Sequence, residues 1–212
     1  MAEGRSLRIF AVCFLVVWIL FVLYPQPYNL FKSVYRLFNH PVNPQAEGVQ
    51  LLAKEVADMD LSEAESFILK SIPYDHDWNV YGMPWYFPKA EEVLTRGRGD
   101  CKSRFIITAS VFENLDIPYH LHLSSTHVWI DYEGRRETTR ENKEIALLLA
   151  DEEKAEWRVP KVDWEHTKNS FVRSFWGNMP TPKKIMLLEG SVIFLLLNLL
   201  SVVILDKKPE MI

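Results

Sequence analysis

Gly97-Arg98-Gly99-Asp100-Cys101-Lys102-Ser103-Arg104-Phe105-Ile106-Ile107-Thr108-Ala109-Ser110-Val111-Phe112 is the stretch on which the fold turns. Gly97 and Gly99 permit a tight approach, Asp100 is a good helix N-cap, and Phe105, Ala109, Phe112 and Leu115 recur at steps of four and three. An amphipathic helix is therefore predicted to begin at Cys101. In a first helical turn, free backbone N–H groups and the positive end of the helix dipole favour a thiolate, and they can hold an oxyanion on an attacked carbonyl. Asp100 opposes the thiolate. A lone cysteine also serves as a small buried apolar residue, and the local pattern leaves both roles open.

Beyond this helix, Ile117-Pro118 ends it, and β-type runs at 119–123 and 126–132, parted by Ser124-Ser125, read as a hairpin. On the second run His127, Trp129 and Asp131 share one face, like a cleft wall, while Val128 and Ile130 face apolar packing. Glu133-Gly134 offers a further turn, from which 135–142 returns antiparallel and carries Glu137 and Glu141 back past His127. Residues 143–156 read as a helix with Ile145, Leu148 and Leu149 inward. Upstream, 46–59 and 62–72 read as helices, the second capped by Asp60 or Ser62 with Glu65 at capping-box spacing. Residues 73–88 form a loop whose Trp78, Tyr81, Trp85 and Tyr86 are expected to fill the core rather than wall a groove, and 89–96 a short helix stopped by Gly97.

These residues carry a resemblance. Gly99-Asp100-Cys101, then Ile117-Pro118, then His127-Val128-Trp129, preceded by Pro84-Trp85-Tyr86-Phe87-Pro88-Lys89-Ala90-Glu91-Glu92-Val93-Leu94, resemble the transglutaminase-like, papain-related cysteine enzyme superfamily in its membrane-anchored prokaryotic type, over roughly residues 60–142. The resemblance implies an α+β fold with a central helix packed on an antiparallel sheet, Cys101 as nucleophile, and His127 as general base and acid. It implies Glu141 as the orienting acid, with Glu137 and Asn142 as fallbacks. The chain departs from the family pattern here, because the return strand reads Arg135-Arg136-Glu137-Thr138-Thr139-Arg140-Glu141-Asn142 and lacks the usual Trp before an Asp. Glu141 as a solvated carboxylate paired with Arg135, Arg136 or Arg140 is the competing role.

The 212 residues suffice for one domain with extras, and the 48% hydrophobic content for a core. Two apolar runs lie at the ends. Residues 9–24 hold no charge and 185–205 only Glu189 near the start, so two transmembrane helices are expected to flank a soluble domain at 25–184, core about 45–142, with short tails at 1–8 and 206–212. Phe175, Trp176 and Met179-Pro180 read as interfacial anchors. Arg5, Arg8, Lys207 and Lys208 on the tails, weakly opposed by Lys32, Arg36, Lys183 and Lys184, favour cytoplasmic tails and an extracytoplasmic domain. Cys13 lies in the first run and Cys101 in the domain, so no disulfide is expected. A net charge of −4 with scattered basic residues excludes nucleic acid as an expected partner.

The function expected is a membrane-anchored thiol enzyme acting by acyl transfer or hydrolysis on a peptide or protein amide, with no cofactor and no metal. Two alternatives stand beside it. One is a catalytically silent domain of the same fold acting as a binding or scaffold module. The other is a zinc hydrolase in which a two-residue turn at Ser124-Ser125 sets His122 opposite His127, with His120 as third ligand.

Overall fold

The computed structural model describes residues 2–39, 41–136, 138, 141, 144, 146–150, 155–157 and 164–206. Chain contacts divide it into two units, residues 1–30 with 179–212 and residues 31–178.

The first unit is a helical hairpin of α1 (Ala2–Leu23) and α9 (Thr181–Asp206). The two helices run antiparallel: Arg8 Nε donates to Ser201 Oγ at 3.1 Å, and Trp18 Nε1 to the Met186 carbonyl at 2.7 Å. Gly190 faces the Trp18 indole, where a Cβ would collide with the ring. Within the helices, Arg5–Leu23 and Thr181–Val203 are long and apolar enough to cross a membrane, and only 11% of each apolar stretch is buried. Each helix begins before the apolar run expected from sequence, because charged residues extend a helix that hydropathy does not see. Met179 is buried, not an interfacial anchor.

The second unit is mixed α and β. Helices α2 (Pro27–Phe38, whose first residues belong to the hairpin unit), α3 (Glu47–Val56), α4 (Leu61–Ser71), α5 (Asp77–Val80), α6 (Ala90–Arg96) and α7 (Cys101–Asn114) lead into a small antiparallel sheet. Its strands are β1 (His120–Leu123), β2 (Val128–Asp131), β3 (Leu148–Ala150) and β4 (Ala155–Trp157), in the order β2-β1-β3-β4. Then come α8 (Trp164–Phe171) and a π-helical turn, Val172–Gly177.

Helix α7 occupies the centre, in contact with α3, α4, α6 and β2. It is not amphipathic: Phe105 through Phe112 are all buried. The polar members of that run satisfy themselves within the helix. Thr108 Oγ1 donates to the Arg104 carbonyl and Ser110 Oγ to that of Ile106, so hydroxyls that look like a solvent face in sequence sit in the core. Val128 and Ile130 join this core, whereas Trp129, on the other face of β2, packs with Ala146.

The second helix is capped by Asp60, one of the two caps expected, which accepts from Ser62 N and Glu63 N; Glu65 takes no part in the cap. Of the return expected at 135–142, the described residues show an isolated bridge between Thr138 and Glu141 and no pairing with β2. Lastly, a β-hairpin rather than a helix follows, because the free edge of β1 recruits Leu148–Ala150: Leu121 pairs Ala150 and Leu123 pairs Leu148. Strand pairing overrides local helix propensity here. Ile145, Pro160, Lys207 and Lys208, and the side chain of Leu149, lie outside the described residues.

Candidate active site

The head of α7 is fixed by backbone and cap together. Gly97 ends α6 in the left-handed region at φ 64°, and Gly99, where a Cβ would meet the Ser103 side chain, pairs with the 73–75 segment. Gly99 N donates to the Pro73 carbonyl at 3.1 Å, and Asp75 N to the Gly99 carbonyl at 3.0 Å. Asp100 Oδ1 then accepts from Lys102 N at 3.0 Å and Ser103 N at 3.3 Å. Cys101 follows as the first helical residue, half-buried, its own N–H without an intrahelical acceptor. The Asp100 charge is compensated: Lys102 Nζ bridges Asp100 and Asp77, 2.9 Å from the latter. Burial, then the Asp100 charge, push the Asp77 carboxyl up, and Lys102 pulls it back.

His127 stands just before β2. Its carbonyl accepts from Ser124 N at 2.8 Å, its own N–H donates to Ser124 Oγ at 3.1 Å, and its ring stacks on Trp129 at 5.9 Å and 14°. Cys101, His127 and Glu141 line one pocket, and the imidazole Nε2 lies 3.0 Å from Glu141 Oε1. With Nε2 taken, Nδ1 is the nitrogen left for the sulfur. Glu141 is held in turn: Arg135 Nη2 donates to Oε2 at 2.9 Å and Thr138 Oγ1 at 3.0 Å. Arg135 also forks onto Glu65 of α4 through Nη2 at 2.9 Å and Nε at 3.2 Å, and Tyr132 OH donates to Glu65 at 2.8 Å.

Thus the structure brings Cys101, His127 and Glu141 together. Comparison of the chain with models of known families, with curated proteins and with solved structures found no match.

Burial works against a charge on the His127 ring, but its bonds to Cys101 and Glu141 outweigh it and lift the group to about 9. Burial likewise works against the Glu141 charge, and His127 and Arg135 overcome it, holding that carboxyl down at about 2. The signs set a pH window. The raised His127 contributes stability that is fully present below its ordinary 6.5 and is lost as pH rises through about 9. The depressed Glu141 contributes stability present above its ordinary 4.5 and lost as pH falls through about 2. The thermal midpoint of the wild type is therefore expected to exceed that of His127→Gln most at about pH 6, and the gap to close toward about pH 10. A gap independent of pH would show that the ring's charge contributes nothing.

A groove of about 320 Å³ opens beside Cys101 and His127. One wall is aromatic: Trp85 stacks on Phe175 at 5.3 Å and meets Phe171 tilted at 5.7 Å, and Trp78 meets Phe175 edge-on. The π-helical turn delivers Phe175 to this wall. The other wall carries the hydroxyls of Ser124, Ser125 and Thr167. Of the four aromatics assigned from sequence to the core, Trp78 is buried but lines the groove and Trp85 is 53% exposed at its wall; Tyr86 is buried and donates its OH to Glu92.

The three-histidine arrangement is overturned by register. The turn spans Ser124–His127, not two residues, because Leu123 pairs Val128; His122 then lies opposite Trp129 and His120 opposite Asp131. Among the described residues no group of three or more His, Cys, Asp or Glu side chains is placed to hold a metal ion. Glu137 and Asn142 lie outside the described residues. Arg135, one of the three arginines that the sequence offers as a partner of Glu141, is the one that clamps it, and sequence reasoning missed Glu65 as the anchor of that clamp.

Proposed function

We propose that this chain is a membrane-anchored thiol enzyme of the transglutaminase-like kind, acting on an amide carbonyl by acyl transfer or hydrolysis. The convergence of Cys101, His127 and Glu141 on one pocket at the head of a buried helix, with His127 Nε2 3.0 Å from Glu141 Oε1, carries this reading.

The chemistry follows from the atoms present. The Cys101 sulfur, beside the His127 imidazolium, attacks the carbonyl carbon; a C–S bond forms and the carbonyl oxygen becomes an oxyanion. The Cys101 N–H, open at the first turn of α7, is placed to donate to it. Collapse breaks the C–N bond as His127 gives its proton to the leaving amine. The now neutral ring takes a proton from water or a second amine, which attacks the thioester and restores the thiolate. Glu141, clamped by Arg135, holds the ring and its charge in place.

Two long, apolar and mostly uncovered helices support anchorage in a bilayer, and the basic tails favour a domain outside the cytoplasm. A p-nitrophenyl ester offered to the full chain in detergent is expected to give a stoichiometric burst of nitrophenol with the acyl group on Cys101. The burst should vanish in Cys101→Ser and persist in Cys13→Ser. Labelling of Cys101 no faster than a free thiol would instead mark a silent binding domain.

A further inference from the structure

Helix α2 is inside out. Tyr28, Phe31, Tyr35 and Phe38 recur at steps of three, four and three, so they form one face, and they are 72%, 71%, 67% and 75% exposed. The opposite face, which is polar, is the one the domain buries. Ser33 Oγ accepts from Phe87 N at 3.2 Å, and Arg36 Nη1 donates to Glu92 at 2.8 Å and to the Phe87 carbonyl at 3.0 Å. Lys32 Nζ adds a second bond to Glu92 at 3.2 Å. Turning the helix to hide its aromatics would leave Arg36, 5% exposed, without these partners and would strand Glu92. An aromatic face held outward by buried polar bonds on the other side suits a medium that is not water.

We propose that the Tyr28, Phe31, Tyr35 and Phe38 face of α2 lies in the headgroup layer of the bilayer, as an interfacial helix that seats the domain on the membrane surface. This rests on the membrane reading above. Three arguments select lipid as the occupant. Only Tyr24, Pro25 and Gln26 separate α1 from α2, a reach of about 10 Å, so α2 begins within the headgroup layer that α1 leaves. Pro27 stands at its first position, which starts a new helix rather than prolonging α1. Tyrosine and phenylalanine on one face, with the opposite face polar, is the composition of a helix lying in the interface plane.

The test uses the full chain with Cys13→Ser and Cys101→Ser, reconstituted in vesicles of phosphatidylcholine and phosphatidylglycerol. Single cysteines replace Tyr35, Phe38 or, as an exposed control on α4, Glu63, and each carries an environment-sensitive fluorophore. Lipids spin-labelled near the headgroup are expected to quench labels at 35 and 38 by roughly twofold or more over that at 63. Adding Phe31→Asp should abolish this excess while the chain still resists alkaline extraction. Equal quenching at all three sites overturns the proposal, as does a blue-shifted label at 35 that lipids do not quench, which would mean a protein surface covers the face. Loss of the chain on alkaline extraction would overturn the membrane reading itself, and the two failures are thereby told apart.

Discussion

Replacing His127 by alanine is expected to slow acylation of Cys101 by about 10²–10⁴-fold at neutral pH, the usual contribution of a positioned acid–base group. The variant removes the partner of the sulfur and the proton donor to the leaving group in one step. Its pH profile separates this from loss of packing. In the wild type, turnover needs the imidazolium, so the rate should fall as pH rises through about 9. Glu141→Gln keeps the shape of the side chain but removes the charge that helps to raise the ring, so this alkaline limb should move to lower pH. A limb that stays in place would detach Glu141 from the chemistry and leave it a partner of Arg135 only. An acylation rate in His127→Ala equal to that of the wild type would end the enzyme reading.

Arg135→Met is expected to carry the largest cost in stability. The guanidinium is only 8% exposed and serves two carboxylates that are themselves 15% and 17% exposed. Removing one partner from such a buried set typically costs about 3–5 kcal/mol, since the remaining charges stay desolvated, and the partial exposure of both acids places this case toward about 3 kcal/mol. The same change frees Glu141, so acylation should fall as well. Arg135→Lys should restore only part of both, because one ammonium cannot reproduce the fork of Nε and Nη2 on Glu65 with the further bond to Glu141. Thermal or denaturant unfolding of the full chain in detergent reads the first effect. A cost under about 1 kcal/mol would mark the network as one that water already screens.

How much of this was written locally differs from element to element. The start of α7 was legible because cap, glycines and the first apolar positions all act within a few residues of Cys101. The two faces of β2 were legible because strand side chains alternate whatever the partner. The turn before it was not: Ser124 Oγ accepts from Thr126 N and His127 N, and that side-chain bond sets the loop length and hence the register. Glu65 fitted a capping pattern in its neighbourhood, yet its partner Arg135 lies 70 residues away. Residues 148–150 became a strand only because β1 offered an edge. In each of these cases the deciding contact is absent from the local window. Glu141 was placed near His127 by chain length alone, and the orientation of its carboxylate depends on Arg135 and Thr138, which no spacing rule supplies.

Trp85 holds φ at 47°, a left-handed backbone that a bulky side chain adopts at an energetic penalty of about 1–3 kcal/mol. Glycine would sit there at ease, and would leave the groove without its indole. Selection for a sturdier fold and selection for an intact groove wall therefore pull this position in opposite directions, and variants chosen for heat resistance alone should drift toward glycine at 85 and lose that wall.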